Sequence, residues 1–246
     1  QRDGGDWILN GSKHFISGPV TPDFAIVFAA TGHDETPRGP RPRITAFLVD
    51  VGMPGFEVSI GYHCTSYRGY LNFRLDFDDV RLSSAHVLGE EGRGLELAGK
   101  WLGMGRIWVG ATCCGKAERI YDMACDWAAN RKQFGQAIGK FQATGFKLAD
   151  MAVGLRAGQL MVKDAIARAN EGQMSDSDAA MVKLYCSEML CRTADDAVQI
   201  YGGMGLMEEM PIHRLWRDSR LERIWDGTSE IRRHIITRSI LRPLGA

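Results

Sequence analysis

Leu88-Gly89-Glu90-Glu91-Gly92 divides the chain into two kinds of sequence. Before it the residues favour strands. Asp6-Trp7-Ile8-Leu9-Asn10-Gly11-Ser12-Lys13-His14-Phe15-Ile16-Ser17-Gly18 reads as strand, Asn-Gly turn and strand, because Asn-Gly accepts the positive φ of a tight hairpin turn. Phe24 to Ala30 and Ile44 to Val49 are apolar and β-branched, as buried strands are, and the Pro-, Gly- and charge-rich stretch from Thr31 to Arg43 reads as the loop between them. Phe56 to Ile60 supplies a further strand. In the last one Leu71, Phe73, Leu75 and Phe77 alternate with Asn72, Arg74 and Asp76, the pattern of a half-buried strand.

After the dividing stretch the period changes to that of helices. Gly94 to Asn130, Phe141 to Asn170 and Ser177 to Tyr201 read as three long helices, and Pro211 to Leu241 as a fourth helical region interrupted near Asp226-Gly227. Within the second, Phe146, Ala149, Val153, Leu160 and Ile166 recur at helical spacing. Helices of this length joined by shorter loops predict an antiparallel bundle. The fold class is therefore α+β: an antiparallel β-barrel or sandwich-like domain over 1–88, then a C-terminal four-helix bundle over 89–246. The first helix carries Gly99, Gly103, Gly105, Gly110 and Gly115, each costing about 1 kcal/mol relative to alanine. Close helix packing is the expected compensation, with approach of a ligand as the alternative.

The chain has 246 residues, 45% of them hydrophobic, with 30 basic and 30 acidic side chains. That balance gives no electrostatic reason to expect nucleic acid or an anionic membrane as partner. No apolar run is long enough to span a bilayer. The six cysteines, Cys64, Cys113, Cys114, Cys125, Cys186 and Cys191, include no CxxC pair and are read as buried free thiols of a reducing compartment. The six histidines show no paired-ligand spacing, so no metal site is expected. The chain opens at Gln1 within strand sequence and reads as a piece of something longer.

Four segments carry residue types suited to chemistry. Gly11 to Gly18 places Phe15, Ile16 and Ser17 on a strand. Arg131-Lys132-Gln133-Phe134-Gly135-Gln136-Ala137-Ile138-Gly139-Lys140-Phe141-Gln142 is a basic loop whose arginine suits bidentate phosphate contact. Gln199-Ile200-Tyr201-Gly202-Gly203-Met204-Gly205-Leu206, followed by Glu209, Arg214 and Asp218, lets backbone turn sharply and approach a ligand closely. Ile224-Trp225-Asp226-Gly227-Thr228-Ser229-Glu230-Ile231 contains an Asp-Gly turn, with Thr228 or Ser229 available to N-cap the last helix.

Taken in order, these segments resemble those of the FAD-dependent acyl-CoA dehydrogenase family, over nearly the whole chain. The resemblance implies the family's middle domain followed by its C-terminal domain, with the N-terminal helical domain missing. It implies FAD as cofactor: Phe15, Ile16 and Ser17 on the flavin side, and Arg131, Gln133, Phe134 and Gln142 at the pyrophosphate and adenine across a subunit interface. Gln199, Gly202 and Gly203 would meet the FAD of a partner subunit, and Thr228 and Glu230 are further FAD contacts. Asp226 stands at the family's catalytic base, usually a glutamate. A minority of members carry the base on the glycine-rich helix instead, at the position of Gly105, and Arg106 beside it resembles a residue near the CoA side. The implied reaction is α,β-dehydrogenation of an acyl-CoA thioester: Asp226 takes the α-proton, the β-hydrogen moves as hydride to flavin N5, and the 226 backbone N–H helps hold the thioester carbonyl. The shorter aspartate also resembles that of nitroalkane oxidases, which share the fold. A degenerate remnant with little activity is the third reading. The implied partners are acyl-CoA, electron-transfer flavoprotein and further copies of the chain in a dimer or tetramer, in bacterial cytoplasm or the mitochondrial matrix.

Overall fold

A computed structural model describes residues 1–18, 22–37 and 39–245. The chain forms two compact units, Gln1–Trp101 and Leu102–Ala246. Six strands build the first: β1 (Arg2–Asp3), β2 (Asp6–Ser17), β3 (Phe24–Asp34), β4 (Arg41–Asp50), β5 (Phe56–Ile60) and β6 (Asn72–Leu82). One sheet has the order β1-β2-β6-β5 and the other is the β3-β4 hairpin, with every ladder antiparallel. Trp7, Leu75, Phe77, Val80 and Leu82 from the larger sheet meet Val27, Phe47 and Val49 from the hairpin in one apolar interior. Among the described residues the two sheets share no ladder. Beyond β3, strand β4 makes only isolated bridges, Ile44 to Arg93 and Phe47 to Val87. The unit is thus an open sandwich and not the closed barrel that was the other expectation.

Three local expectations are corrected. Asn10-Gly11 does not turn a hairpin; β2 runs straight through it with a bulge against β6. The Asn10 amide pairs with Asp79 instead, its Nδ2 donating to Asp79 Oδ1 and its Oδ1 accepting the Asp79 N–H, both at 2.8 Å. The positive φ of Gly11 (132°) serves that bulge. The loop expected over 31–43 shrinks to 35–40, of which Arg38 lies outside the described residues, because pairing continues to Asp34 and Arg41. Phe24 to Ala30 is not wholly buried: Phe24 and Ile26 face out and Val27 faces the core, as expected for a strand in a two-stranded sheet. Leu71 is also exposed, just before β6 begins, whereas Phe73, Leu75 and Phe77 point inward.

The helices begin with α1 (Gly94–Asn130), whose first turns pack on β4, where a Cβ at Gly94 would meet the Thr45–Ala46 backbone. A short hairpin, β7 (Lys132–Gln133) and β8 (Gln136–Ala137), leads into α2 (Gln142–Asn170), followed by α3 (Asp176–Tyr201). The fourth region is α4 (Ile212–Ser219), a 3-10 turn at Arg220–Arg223, and α5 (Ser229–Leu241). The side-chain contacts fix the helix directions. Gly110 lies against Val182 and Val162, Cys114 against Cys186 and Gly158, and the Tyr201 hydroxyl donates to the Met123 carbonyl. Numbers rise together along α1 and α3 and fall along α2, so α2 is antiparallel to both. Of the five glycines in the interior of α1, Gly110 is pressed by α2 and α3 and Gly103 by Met174, whereas a Cβ at 99, 105 or 115 would meet open space.

On α2 the buried face is Met151, Leu155, Gly158, Val162 and Ala165. The stripe read from the sequence lies on the other side: Phe146, Ala149, Val153, Leu160 and Ile166 are exposed, Val153 by 71%. The helix has two apolar faces, and periodicity does not rank them.

The start of α3 is held by a capping box in which Asp178 N–H donates to Ser175 Oγ and the Ser175 N–H donates back to the Asp178 carboxylate. The Ser175 hydroxyl and amide hold the Asp178 carboxyl below its ordinary range. A carboxyl lowered in the folded state contributes stability that is present above the unfolded value of 3.8 and lost as pH falls through the folded value. Ser175→Ala should cost about 1 kcal/mol at neutral pH. In urea titrations the stability gap between wild type and Asp178→Asn should close as pH falls below about 4.

Candidate active site

Between the 3-10 turn and α5 the backbone reverses at Asp226-Gly227, with φ of 48° and 89°. Aspartate tolerates the left-handed region better than most residues, at a cost of roughly 1–2 kcal/mol. Gly227 suits this φ, and a Cβ there would force the buried Arg232 guanidinium to move. Thr228 then N-caps α5, its Oγ1 accepting the Ile231 N–H at 3.3 Å. The Asp226 side chain is exposed, and Glu230 is exposed beside it. Hydrogen bonds from its own backbone amide and then from Thr228 keep the Glu230 carboxyl below its usual range.

Beneath this turn lies a set of buried charges that the sequence did not flag. Lys183 on α3 is 0% exposed and its Nζ donates to the Gly227 carbonyl at 2.9 Å. Burial, then the nearby Arg232 charge, push the Lys183 ammonium below its ordinary pKa. Arg232 is itself buried, its Nε and Nη1 having no hydrogen-bond partner, and burial followed by the charge of Arg106 lowers its pKa. Glu222, 0% exposed, pairs with Lys116 and accepts the Trp225 indole N–H at 2.7 Å. Arg106 projects from α1 with its Nη1 3.0 Å from Asp176 Oδ1. The only sequence signal for Lys183 is its apolar setting, Ala179-Ala180-Met181-Val182 before it and Leu184 after.

The other candidates on this unit lie at the opposite end of the bundle. The turn of the β7-β8 hairpin is Phe134-Gly135, both at positive φ (51° and 79°). A bulky residue is rare there, and the turn leaves Phe134 92% exposed, its ring edge-on to Phe141. Arg131, Gln133 and Gln142 are exposed around it. Nearby, Trp127 at the end of α1 stacks on Tyr201 at 4.5 Å, bringing in Gln199, Gly202 and Gly203, all exposed. A Cβ at Gly202 or Gly203 would meet nothing, so this backbone is open to a ligand. From Arg106 to Asn130 along α1 is about 36 Å at 1.5 Å per residue. One unit therefore does not bring Arg131, Phe134 and Gln199 to Asp226.

On the first unit, Phe15 sits at φ 58° in a ladder irregularity between Lys13 and Ile16, which turns its ring outward. It is 74% exposed, Ile16 is half-buried, and the exposed Ser17 donates its hydroxyl to Tyr70 at 2.8 Å. Among the described residues five non-glycines adopt positive φ: Phe15, Tyr67, Asp79, Phe134 and Asp226. Three of these five stand at positions that the sequence marks for FAD or catalysis, and strained backbone concentrates at functional sites. Within the helical unit the outward Phe134 ring, the arginine loop and the open glycine backbone fit an extended ligand that carries a planar ring and phosphates. Among the described residues no group of three or more His, Cys, Asp or Glu is placed for a metal ion, all six cysteines are free, and no helix is long and apolar enough to cross a membrane.

Comparison with known proteins gives two family matches: the acyl-CoA dehydrogenase middle domain over residues 1–80 and the acyl-CoA dehydrogenase C-terminal domain over 92–241. An acyl-CoA dehydrogenase of Bacillus subtilis is 39% identical over 237 residues, which cover 96% of this chain and 62% of the relative. The structure of butyryl-CoA dehydrogenase from Megasphaera elsdenii superposes with a TM-score of 0.88 at 36% identity, covering 98% of this chain and 62% of that one. That of PigA with FAD and proline gives 0.89 at 29% identity, with the same coverage. The chain spans about 62% of the length of these relatives. Both halves match in the order the family has them, and the chain belongs to the acyl-CoA dehydrogenase family.

Proposed function

We propose that this chain carries the FAD contacts and the catalytic base of an enzyme that dehydrogenates acyl-CoA thioesters at the α,β bond, with 1–88 as the flavin-side β-domain and 89–246 as the helical domain. The observation that carries the reading is the coincidence of positive φ at Phe15, Phe134 and Asp226. Asp226 accepts the α-proton from the left-handed turn, and its backbone N–H is a donor for the thioester oxygen. Phe15 shields the flavin, and Ser17 presents a hydroxyl once it exchanges its bond to Tyr70. FAD held by these residues would supply the hydride acceptor, with an electron-transfer flavoprotein as the onward electron acceptor.

Arg131, Gln133, Phe134 and Gln142, with Gln199, Gly202 and Gly203, serve the FAD of a second copy. The length of α1 between the two groups supports this division, and the exposed stripe Phe146, Val153 and Leu160 on α2 offers apolar surface for the homo-oligomer. Removing the Phe134 ring should weaken FAD binding by about 1–3 kcal/mol, the usual worth of an aromatic platform under a base. Fluorescence titration of the Phe134→Ala apoprotein with FAD measures it.

Aspartate in place of the longer glutamate favours one competing reading, a flavin oxidase acting on nitroalkanes, whose carbon acid needs less help. Anaerobic mixing of the FAD-loaded protein with a panel of acyl-CoA thioesters and with nitroethane separates the two. Bleaching of the flavin by acyl-CoA alone, with slow reoxidation by oxygen, is the expected result. Bleaching by nitroethane alone with fast reoxidation would replace the proposal with the oxidase.

A further inference from the structure

The buried ammonium of Lys183 is chemically out of place. It is fully enclosed in the helical bundle, and its one hydrogen bond is to a backbone carbonyl, with the Glu222 and Asp226 carboxylates acting on it only through space. A buried charge without a direct ion pair is among the costlier features a core can hold. Its hydrogen bond runs to the carbonyl of Gly227, the peptide that follows Asp226. Arg232 closes the other side, its guanidinium occupying the space where a side chain at 227 would stand. The Asp226-Gly227 reversal is thus held from α3 by one hydrogen bond and packed from α5 by the Arg232 guanidinium, at a point where both residues hold positive φ.

We propose that Lys183 is a positioning residue for the base: by fixing the Gly227 carbonyl it sets the direction in which the Asp226 carboxylate is presented. The inference rests on the reading of Asp226 as the base. It follows from the geometry of reach. Aspartate is one methylene shorter than glutamate, so its carboxylate has fewer torsions with which to correct a backbone error. A misplacement of about 1 Å costs on the order of a hundredfold in rate. A turn in strained backbone relaxes once its lock is removed, and here the lock is one hydrogen bond from a rigid helix.

A merely structural lysine and a positioning lysine predict different things for Lys183→Met, which keeps the chain volume and removes the charge. Losing an unpaired buried ammonium to a thioether should leave the melting temperature of the FAD-loaded full-length protein unchanged or raised. Positioning predicts that the limiting rate of flavin reduction by butyryl-CoA nevertheless falls at least about tenfold, with the dissociation constant of butyryl-CoA within about twofold of wild type. Deuterium exchange, read in the absence of substrate, should quicken in the peptide spanning 224–230 and stay at wild-type rates along α3. In an Asp226→Asn background, Lys183→Met should produce no further loss. Wild-type reduction and exchange rates in Lys183→Met would overturn the proposal. So would a rate loss accompanied by a lower melting temperature and faster exchange throughout α3. If Asp226→Asn alone reduces at the wild-type rate, the base assignment fails instead, and the exchange of the 224–230 peptide still reports separately on whether Lys183 holds the turn.

Discussion

Asp226→Asn should bind FAD and butyryl-CoA as wild type does and reduce its flavin slower by a factor of about 10²–10⁴, the usual worth of a general base. Asparagine has the shape of aspartate and shares its tolerance of the left-handed region, so the φ of 48° at 226 is kept. The Lys183 hydrogen bond runs to the Gly227 carbonyl and not to the carboxylate, so the bond that holds the turn survives the change, although the favourable charge of the carboxylate on Lys183 and Arg232 is lost. What disappears is the only atom set at this turn able to accept the α-proton. Of the nearby carboxylates, Glu230 is engaged with its own amide and Thr228, and Glu222 is buried against Lys116 and Trp225. Stopped-flow reduction under anaerobic conditions reads the loss, and an unchanged melting temperature shows that it is chemical.

Glu222→Ala should produce the largest loss of stability in the helical unit, about 3 kcal/mol. Breaking a buried pair by deleting one member typically costs 3–5 kcal/mol. The lower end applies because the Lys116 side chain keeps 23% of its exposure and regains some hydration. The change also removes the carboxylate from the Trp225 indole N–H, one residue before Asp226. Loss of stability and loosening of the Asp226-Gly227 turn should therefore appear together. Urea unfolding gives the first, and the second is seen as a lower limiting reduction rate in the fraction that remains folded. Glu222→Gln, which keeps the acceptor for Trp225, should lose less on both counts.

The contrast between what could and could not be read in advance has physical causes. The limits of α1 follow from the sequence, because charged and glycine-rich punctuation flanks Gly94–Asn130, and α2 and α3 begin within one residue of the expected positions. The inner face of α2 does not follow, since Phe146-Val153-Leu160 and Met151-Leu155-Val162 are both apolar and only packing distinguishes them. Asn10-Gly11 favours a turn locally. The partner that makes it a bulge, Asp79, is 69 residues away. At the site, the Asp-Gly pair announces the reversal at 226–227, and Thr228 is a plain capping residue. The hydrogen bond from Lys183 to Gly227 does not follow from the sequence, because the apolar setting of this lysine hints at burial but the partner is 44 residues away.

Removal of the α-proton by Asp226 is tested by proton exchange, without any redox step. A butyryl-CoA analogue with sulfur in place of the β-carbon has no β-hydrogen to transfer, yet keeps an acidic α-carbon. Incubated with the FAD-loaded protein in deuterium oxide and analysed by mass spectrometry, it should gain deuterium at the α-carbon with wild type, and at the uncatalysed rate with Asp226→Asn. Exchange by Asp226→Asn as fast as by wild type would contradict the assignment.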